Sequence, residues 1–332
     1  MILNKHNFVI TTSPGNSGGG AILDFLRTQK NFVSPFLEQE FRLFNDPGGV
    51  NELYFFLYEY FSPNNCSEAF YKFIEYMNSA DKMYFTRDGE QKKIYTNHLK
   101  HLSKTFVKNI IKISYKALPF YKLHSLNRYK KLKIKLLKKI NFEKDVRSKN
   151  FFMTLPVNQN QFNYHLHIFI YKIIKNALNQ NNLKIKKNIL LDQANSFFLP
   201  NQLTKYDINA KIIRVIRDPR SVFYSMKFRK AGAFPGYDVN KFIIWYKEIM
   251  RINEQNLKKQ NYGETLNFKF EDFVNNYEKT SKNIARFLKI KDLNLKKFDI
   301  KKSRINAYKA KKLLSNNDQN LIKSKLKKYL QW

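Results

Sequence analysis

Cysteine is nearly absent from this 332-residue sequence, and no apolar run is long enough to span a bilayer. Cys66 is the single cysteine, so intrachain disulfides and cysteine-based zinc sites are excluded. The N-terminus also lacks the charged and apolar regions of a signal peptide. From these absences we expect a soluble protein of the cytoplasm.

Acidic residues are scarce relative to basic ones. The sequence has 26 Asp and Glu against 61 Lys and Arg, a formal net charge of +35. A field of that sign favours anionic partners: nucleotides, sulfated or phosphorylated glycans, nucleic acid or an anionic membrane surface. The charge does not choose among them, because AT-rich coding alone produces the same abundance of Lys, Asn, Ile, Tyr and Phe.

The basic segment 99–140 contains no Asp or Glu. Lysines recur every four residues, which predicts one face of a helix that ends at Pro119: Lys100, Lys104, Lys108, Lys112 and Lys116. A second basic helix is predicted over Leu123–Ile140. Like charges at this spacing oppose helix formation slightly, so the face is either solvated or bound to an anionic glycan or membrane surface. No nucleic-acid-binding signature accompanies it, so we do not expect a nucleic acid partner.

The stretch Asn7–Thr28 reads as a buried strand, a glycine-rich turn and an amphipathic helix. We call its turn, Ser13–Gly20, the glycine loop. Backbone N–H groups in such a loop point into one concavity, and the following helix adds its positive dipole end, so the loop suits a phosphate or sulfate. A tight turn without a ligand is the alternative. The candidate anion-binding residues are Ser13, Gly15, Asn16, Ser17, Gly18, Gly19 and Gly20.

Strands and helices alternate from Lys187 onward. The predicted strands are Ile189–Asp192, Ile212–Ile216 and Thr265–Phe270, and the predicted helices are Pro219–Arg229, Tyr237–Asn256 and Phe273–Leu288. This alternation is typical of an α/β domain whose mostly parallel sheet binds ligands at the carboxyl ends of its strands. The tail from Lys309 to Trp332 is predicted as one more basic helix.

The middle of the chain is predicted to be helical. Apolar spacing indicates two helices over Asn51–Met77, broken around Pro63, and a long helix over Phe162–Ala177. We therefore expect one α/β domain over 1–332, with a helical insertion at 51–180 that carries the basic segment.

The most specific stretch is Lys211–Met226, KIIRVIRDPRSVFYSM. A buried strand delivers Arg217 to its carboxyl end, Pro219 starts a helix, and Ser225 follows two turns along. An Arg and a Ser so placed can grip one phosphate from two sides. The alternative is a structural Arg that caps carbonyl groups and pairs with Asp218.

These features resemble the sulfotransferases that use 3′-phosphoadenosine-5′-phosphosulfate. Arg217 and Ser225 match that family's 3′-phosphate motif, and the opening strand, loop and helix occupy the position of its 5′-phosphosulfate loop. Asn267–Leu288 resembles the late strand and helix of the family, with Glu271 after the strand. The resemblance implies a P-loop-like, three-layer α/β fold with a central parallel sheet flanked by helices, and a donor that needs no metal.

The resemblance also implies a catalytic base. Glycan-modifying members carry a Glu in a Glu-x-x-Phe-Phe setting beyond the loop, which Glu40 in EFRLF resembles. Such a carboxylate takes the proton from an acceptor hydroxyl as its oxygen attacks sulfur in line. Glu38 is the nearest competitor, and Asp192 is the base if Glu40 is not.

Two family lysines are missing. Asn16 stands where a Lys or Arg usually stabilises the leaving oxygen, and Gln193 stands where the glycan branch often has a second Lys. The hydroxyls usual in the loop are also replaced by glycine. Arg42, Lys309 and Lys5 are candidate replacement cations.

A basic loop near the C-terminus folds over the nucleotide in this family, and Lys301–Lys309 has a matching position and composition. The resemblance makes Ser303, Arg304 and Lys309 candidate cofactor-binding residues. Solvated charge is the alternative.

The sequence therefore predicts an enzyme that transfers a sulfuryl group to a hydroxyl of a glycan, such as a capsular or lipopolysaccharide precursor, in the cytoplasm or at the inner membrane face. One alternative is a catalytically divergent nucleotide- or polyanion-binding protein of the same fold. A P-loop kinase is a weaker one, because the loop has no Gly-Lys-Ser/Thr.

Overall fold

The structure, a computed structural model, describes residues 6–80, 83–85, 91–93, 98–117, 127–129, 131–132, 152–229, 234–259 and 264–332. The chain divides into two compact units. The described residues of Leu3–Arg42 and Leu178–Trp332 form the sheet unit, and those of Leu43–Ala177 form the middle unit. The organisation as one domain with an insertion over 51–180 stays a prediction.

The sheet unit is built on five parallel strands. In chain order these are β1 (Asn7–Thr12), β2 (Phe32–Val33), β7 (Asn188–Asp192), β8 (Ala210–Ile216) and β9 (Thr265–Lys269). Their order across the sheet is β2-β7-β1-β8-β9, so β1 pairs with β7 on one side and β8 on the other. Short antiparallel pairs lie in the middle unit: β3 (Met83–Phe85) with β4 (Gln91–Lys93), and β5 (Ile111–Lys116) with β6 (Phe152–Pro156).

Both units also contain helices. They are α1 (Gly19–Arg27), α2 (Val50–Tyr54), α3 (Pro63–Ala80), α4 (Leu99–Ile110), α5 (Gln159–Gln180), α6 (Pro219–Arg229), α7 (Val239–Lys259), α8 (Phe270–Asn275), α9 (Tyr277–Leu288), α10 (Ile300–Leu313) and α11 (Asn316–Lys325). A π-helical turn spans Phe55–Glu59, and 3₁₀ turns span Gln202–Tyr206 and Lys327–Tyr329.

Two apolar clusters form the core of the sheet unit. One joins the strands to α1, α8 and α9, through residues such as Val9, Leu26 and Phe273. The other joins α6, α7 and α11 around Phe223 and Phe242. Burial of these fully apolar faces is the main stabilising contribution, and it fixes the strand ends relative to the helices that follow them. The fold class is α/β, with a central parallel sheet flanked by helices, as predicted.

The predicted helix pair broken at Pro63 and the long helix over Phe162–Ala177 are both confirmed, since Pro63 begins α3 and the long helix lies within α5. The prediction of a continuous helix up to Pro119 is wrong. Helix α4 ends at Ile110, and Ile111–Lys116 is strand β5, so Lys112 and Lys116 leave the helical face. The alternating sequence IKISYK has the period of a strand, and its pairing with β6 outweighs the lysine spacing. Most of the second predicted basic helix, 123–140, lies outside the described residues.

The C-terminal predictions also need correction. Lys301–Lys309 is not a loop but part of α10, whose first turn is capped by the Asp299 carboxylate accepting the Lys301 N–H at 3.0 Å. The predicted single helix from Lys309 to Trp332 is interrupted, because Ser315 caps a new helix, α11. The predicted helix Phe273–Leu288 likewise divides into α8 and α9 at Asn276.

Candidate active site

Three adjacent strands of the sheet unit end at one edge. β7 ends at Asp192, β1 at Thr12 and β8 at Ile216, and all three are parallel. Parallel strands that are neighbours in a sheet present their carboxyl ends together. The glycine loop and Arg217 therefore begin at the same edge as Asp192.

The glycine loop adopts left-handed backbone conformations at Gly15, Asn16 and Gly18, with φ of 87°, 51° and 91°. A Cβ built on Gly18 would lie 2.5 Å from the Phe270 ring, so no larger residue fits there. At Gly20 a Cβ would meet nothing within 4 Å, so this side of the loop is open. Helix α1 starts directly after Gly18 and directs its N-terminal dipole to the same place. The loop geometry fits an anion held by backbone groups.

Arg217 and Ser225 meet as predicted. The Arg217 Nη1 donates to the Ser225 Oγ at 3.1 Å and to the carbonyl oxygen of Asn16 at 3.2 Å. Its Nη2 donates to the carbonyl of Asn306 on α10, and the guanidinium lies 5.3 Å from the centre of the Phe270 ring. One guanidinium thus connects the end of β8, helix α6 and the glycine loop.

The alternative role of Arg217, a structural residue that caps carbonyl groups and pairs with Asp218, agrees with the structure in its first part only. Arg217 does contact carbonyl groups, but the Asp218 carboxylate pairs with Arg220, at 2.8 Å, and also accepts the Gln331 N–H at 2.8 Å. Asp218 therefore anchors helix α6 and the C-terminal segment. The guanidinium of Arg217 is directed to Ser225 and to the glycine loop.

Glu40 and Asp192 lie side by side. They form an isolated parallel bridge, and the Phe41 N–H donates to the Asp192 carbonyl oxygen at 2.7 Å. Burial raises the pKa of the Asp192 carboxyl to about 6, and the nearby Glu40 charge adds to this rise, while the hydroxyl of Thr11, 2.8 Å from Oδ1, opposes it. Glu40 is exposed and pairs with Arg42, whose Nη1 lies 3.2 Å from its Oε2. The three predicted catalytic residues are thus neighbours.

Gln193, at the position of the absent second lysine, points to the glycine loop. Its amide nitrogen donates to the Ser13 Oγ at 3.3 Å, and its amide oxygen accepts from the Thr12 hydroxyl at 3.3 Å. Gln193 itself has a left-handed backbone, with φ of 54°. This residue therefore joins the end of β7 to the start of the loop instead of supplying a charge.

The predicted cofactor-binding residues Ser303, Arg304 and Lys309 make none of the described contacts with the glycine loop. Ser303 is buried on α10, and the guanidinium of Arg304 donates to the Val274 carbonyl at 2.8 and 3.0 Å. Lys309 is exposed on the same helix, and Lys5 lies outside the described residues. Helix α10 contributes through its backbone, since the Ser221 hydroxyl donates to the Ala307 carbonyl at 2.6 Å, beside the Arg217 contact with Asn306.

Phe270, Glu271 and Tyr246 contact the site, although none of them is a site residue predicted from the sequence. Phe270 touches both Gly18 and Arg217, whereas Glu271 and Tyr246 bind the peptide group that follows Arg217. The signal for the first two was their position directly after strand β9, at the same sheet edge. Tyr246 lies in the middle of a helix, where the sequence offers no such signal.

The sequence profile of the sulfotransferase family matches residues 125–293, slightly more than half of the chain. The chain therefore belongs to the sulfotransferase family. The matched range contains Asp192, Arg217, Ser225 and Glu271, but not the glycine loop or Glu40. No curated protein matches the sequence.

Two solved structures are similar to the chain. The sulfotransferase domain from the curacin biosynthetic pathway has 15% identity and a TM-score of 0.42, with 97% of each chain covered. The sulfotransferase domain from the olefin synthase of Synechococcus PCC 7002 has 14% identity and a TM-score of 0.39, with 97% of this chain and 95% of that chain covered. The family assignment rests on the profile match.

No helix among the described residues is long and apolar enough to cross a membrane. Within the same part of the chain, no group of three or more His, Cys, Asp or Glu side chains is arranged to hold a metal ion.

Proposed function

We propose that this sulfotransferase transfers a sulfuryl group from 3′-phosphoadenosine-5′-phosphosulfate to a hydroxyl of a glycan. The observation that carries the proposal is the meeting of Arg217 with Ser225 and with the carbonyl of Asn16 in the glycine loop. Two anion-binding groups of different kinds, a guanidinium with a hydroxyl and a glycine loop at a helix N-terminus, thus lie next to each other. A ligand with two separate anionic groups suits this arrangement better than one with a single phosphate.

Each of the two groups of residues suits one end of the donor. Arg217 and Ser225 would hold the 3′-phosphate, because a guanidinium and a hydroxyl donate to phosphate oxygens from two sides. The glycine loop would hold the 5′-phosphosulfate through backbone N–H groups, and the open side at Gly20 leaves room for it. When bound, the donor supplies the sulfuryl group, and its bisphosphonucleotide is the leaving group.

Glu40 is the proposed general base. It is exposed at the sheet edge, where an acceptor hydroxyl has access, and it lies beside the strand end at Asp192. The hydroxyl proton passes to a Glu40 oxygen, the acceptor oxygen forms a bond to sulfur, and the bond from sulfur to the phosphate oxygen breaks. Asp192 is less suited, because it is less exposed than Glu40 and Thr11 already donates to its Oδ1.

Arg42 is the proposed substitute for the missing loop lysine. Its guanidinium lies 3.2 Å from Glu40, so its charge is present where the reaction takes place. Such a cation stabilises negative charge on the leaving oxygen. Ser303, Arg304 and Lys309 remain proposals for the nucleotide, and the contact of Arg304 with Val274 favours a structural role for that residue.

The acceptor is proposed to be an anionic or lipid-linked saccharide, handled in the cytoplasm or at the inner membrane face. Four exposed lysines on α4 and β5 support this: Lys104, Lys108, Lys112 and Lys116. The exposed side chains of Ile113 and Tyr115 lie between the last two of these lysines along β5. Lysines beside aromatic and apolar side chains are typical of surfaces that contact anionic lipid. Sedimentation with phosphatidylglycerol vesicles tests this, and binding unaffected by Lys104→Glu with Lys108→Glu would contradict it.

Calorimetry with 3′-phosphoadenosine 5′-phosphate tests the donor assignment. We expect the wild-type protein to bind this bisphosphate at least about tenfold more tightly than ATP with magnesium, because the loop lacks the kinase lysine. Arg217→Ala should weaken binding by about 2–3 kcal/mol, since a charge-assisted bond to phosphate is lost. Ser225→Ala should weaken it by about 1 kcal/mol.

Arg251→Ala is the matched control, because Arg251 is exposed on α7 and pairs with Glu248 at the surface. It should leave the affinity unchanged. Tighter binding of ATP than of the bisphosphate would favour the P-loop kinase. Tight bisphosphate binding without any turnover on glycans would favour the catalytically divergent binding protein.

A further inference from the structure

The peptide group between Arg217 and Asp218 is held at both of its ends by side chains from two other helices. Its carbonyl oxygen accepts the Tyr246 hydroxyl of α7 at 3.1 Å. Its N–H donates to the Glu271 Oε1 of α8 at 3.1 Å. Because this peptide group is bonded to the Cα atom of Arg217, the two hydrogen bonds fix the direction of the Cα–Cβ bond of that residue.

Glu271 is an unusual residue for such a role, because it is an acid that is only 2% exposed. Its second oxygen, Oε2, is buried and has no hydrogen-bond partner among the residues that the structure describes. A buried carboxylate without a full set of partners is costly to ionise. The neutral, protonated form is therefore closer in free energy to the ionised form than it is for a surface glutamate.

Charged and titratable groups near Glu271 come from the end of β8, from α6 and from α7. Arg217 follows β8 and favours the ionised form, while the Asp218 carboxylate opposes it. Asp218 is itself neutralised by Arg220 of α6, and Tyr246 of α7 faces the same interior. Burial is the largest effect and raises the pKa of the Glu271 carboxyl to about 7, although the bond from the Asp218 N–H and the charge of Arg217 oppose this rise.

We infer that Glu271 is a positioning residue for Arg217 which takes up a proton when a phosphate binds to that arginine. This inference rests on the proposed function, since it requires an anionic phosphate at Arg217. A phosphate there adds negative charge close to Glu271 and offsets the arginine charge that favours its ionised form. Both changes favour the protonated acid, which still offers Oε1 as an acceptor for the Asp218 N–H.

The consequence is that donor binding is linked to pH. If binding takes up about half a proton near pH 7.5, the dissociation constant rises about threefold from pH 7 to pH 8. The product bisphosphate and the donor both carry the 3′-phosphate, so both should show this dependence. A purely structural glutamate would not produce it.

Calorimetry of 3′-phosphoadenosine 5′-phosphate in two buffers with different ionisation enthalpies measures the proton uptake directly. The nucleotide phosphates and Asp192 also titrate in this range, so the informative quantity is the difference between wild type and Glu271→Gln. Gln keeps an oxygen acceptor for the Asp218 N–H but cannot ionise. We expect the variant to lose about half a proton of uptake at pH 7.5 and to bind with a weaker pH dependence.

Tyr246→Phe is the matched control, because it removes the other bond to the same peptide without changing a titrating carboxyl. It should weaken binding several-fold at every pH and keep the wild-type proton uptake. Equal uptake in wild type and Glu271→Gln, with tight binding in both, would overturn the inference and leave the donor assignment intact. Absence of bisphosphate binding in the wild type would overturn both.

Discussion

Glu40 and Asp192 show how two carboxylates at one strand end are placed in different surroundings. Glu40 is exposed beside Arg42, whereas Asp192 is partly buried and accepts from Thr11. An exposed carboxylate is open to an acceptor hydroxyl, whereas the Oδ1 atom of Asp192 is already occupied by the Thr11 hydroxyl. This difference in accessibility is the reason why Glu40 is the proposed base.

Glu40→Gln should lower turnover by about 10²–10⁴-fold, because the general base is lost. The affinity for 3′-phosphoadenosine 5′-phosphate should stay near that of wild type. The assay follows labelled sulfate from the donor into surface glycans of the source organism. Glu38→Gln is the matched control and should keep full turnover. If Glu40→Gln retains turnover, the base is Asp192 or Glu38.

Asn16→Lys should raise turnover by about tenfold or more, because it returns a cation to the position where charge develops on the leaving oxygen. The backbone at Asn16 is left-handed, with φ of 51°, so a lysine there costs up to about 1–2 kcal/mol of stability. Asn16→Gln has a similar backbone cost without the charge, and the same labelled-sulfate assay compares the two variants. Equal turnover in both would show that a loop cation is not needed.

At the scale of elements, the glycine loop depends on its contact with the start of α8. Phe270 occupies the space beside Gly18 and also faces Arg217. The junction of β9 and α8 therefore restricts the backbone conformation of the glycine loop at Gly18. The glycines predict the loop from sequence, whereas the need for glycine at position 18 comes from a contact with Phe270, which is distant in sequence.

Gly18→Ala should destabilise the protein by about 2 kcal/mol or more, because a left-handed alanine is strained and its Cβ would lie 2.5 Å from the Phe270 ring. Gly20→Ala is the control in the same loop. It meets nothing within 4 Å and should stabilise α1 by up to about 1 kcal/mol. Urea unfolding measures both changes. Equal stability of the two variants would contradict this view of the loop.

The fold was predictable from sequence where the local pattern and the tertiary structure agree. The apolar strands around Ile189 and Ile212 and the helix starting at Pro219 lie as predicted, because burial on both faces leaves a clear pattern. The lysine spacing predicted a helix at Lys112 and Lys116, but both residues lie in strand β5. The pairing of β5 with β6 is a long-range contact, which local spacing does not reveal. Arg217 and Ser225 were found because both belong to one strand-helix unit, whereas Tyr246 reaches the site from a helix that is distant in sequence.

At the scale of the whole molecule, a buried acid makes stability depend on pH. The pKa of Glu271 in the folded protein, about 7, lies above its ordinary value of 4.5. Its contribution to stability is therefore fully present below about pH 4.5 and is lost as the pH rises through 7. At pH 8.5 the wild-type protein bears the cost of a buried charge.

Glu271→Gln removes that cost, because Gln is neutral at every pH. Relative to wild type, the variant should gain up to about 3 kcal/mol in the free energy of unfolding between pH 4.5 and pH 8.5. Urea unfolding at both pH values measures the gain, and the other titrating groups cancel in the comparison. A constant difference between the two proteins would contradict the raised pKa of this carboxyl.

The central claim, that two anion-binding groups recognise the two ends of a 3′-phosphorylated nucleotide, is tested most directly by calorimetry on the wild-type protein. We expect 3′-phosphoadenosine 5′-phosphate to bind about 30–100-fold more tightly than AMP, because only the former offers a phosphate to Arg217 and Ser225. Equal affinities for the two nucleotides would contradict the assignment of this site to a 3′-phosphoadenosine-5′-phosphosulfate donor.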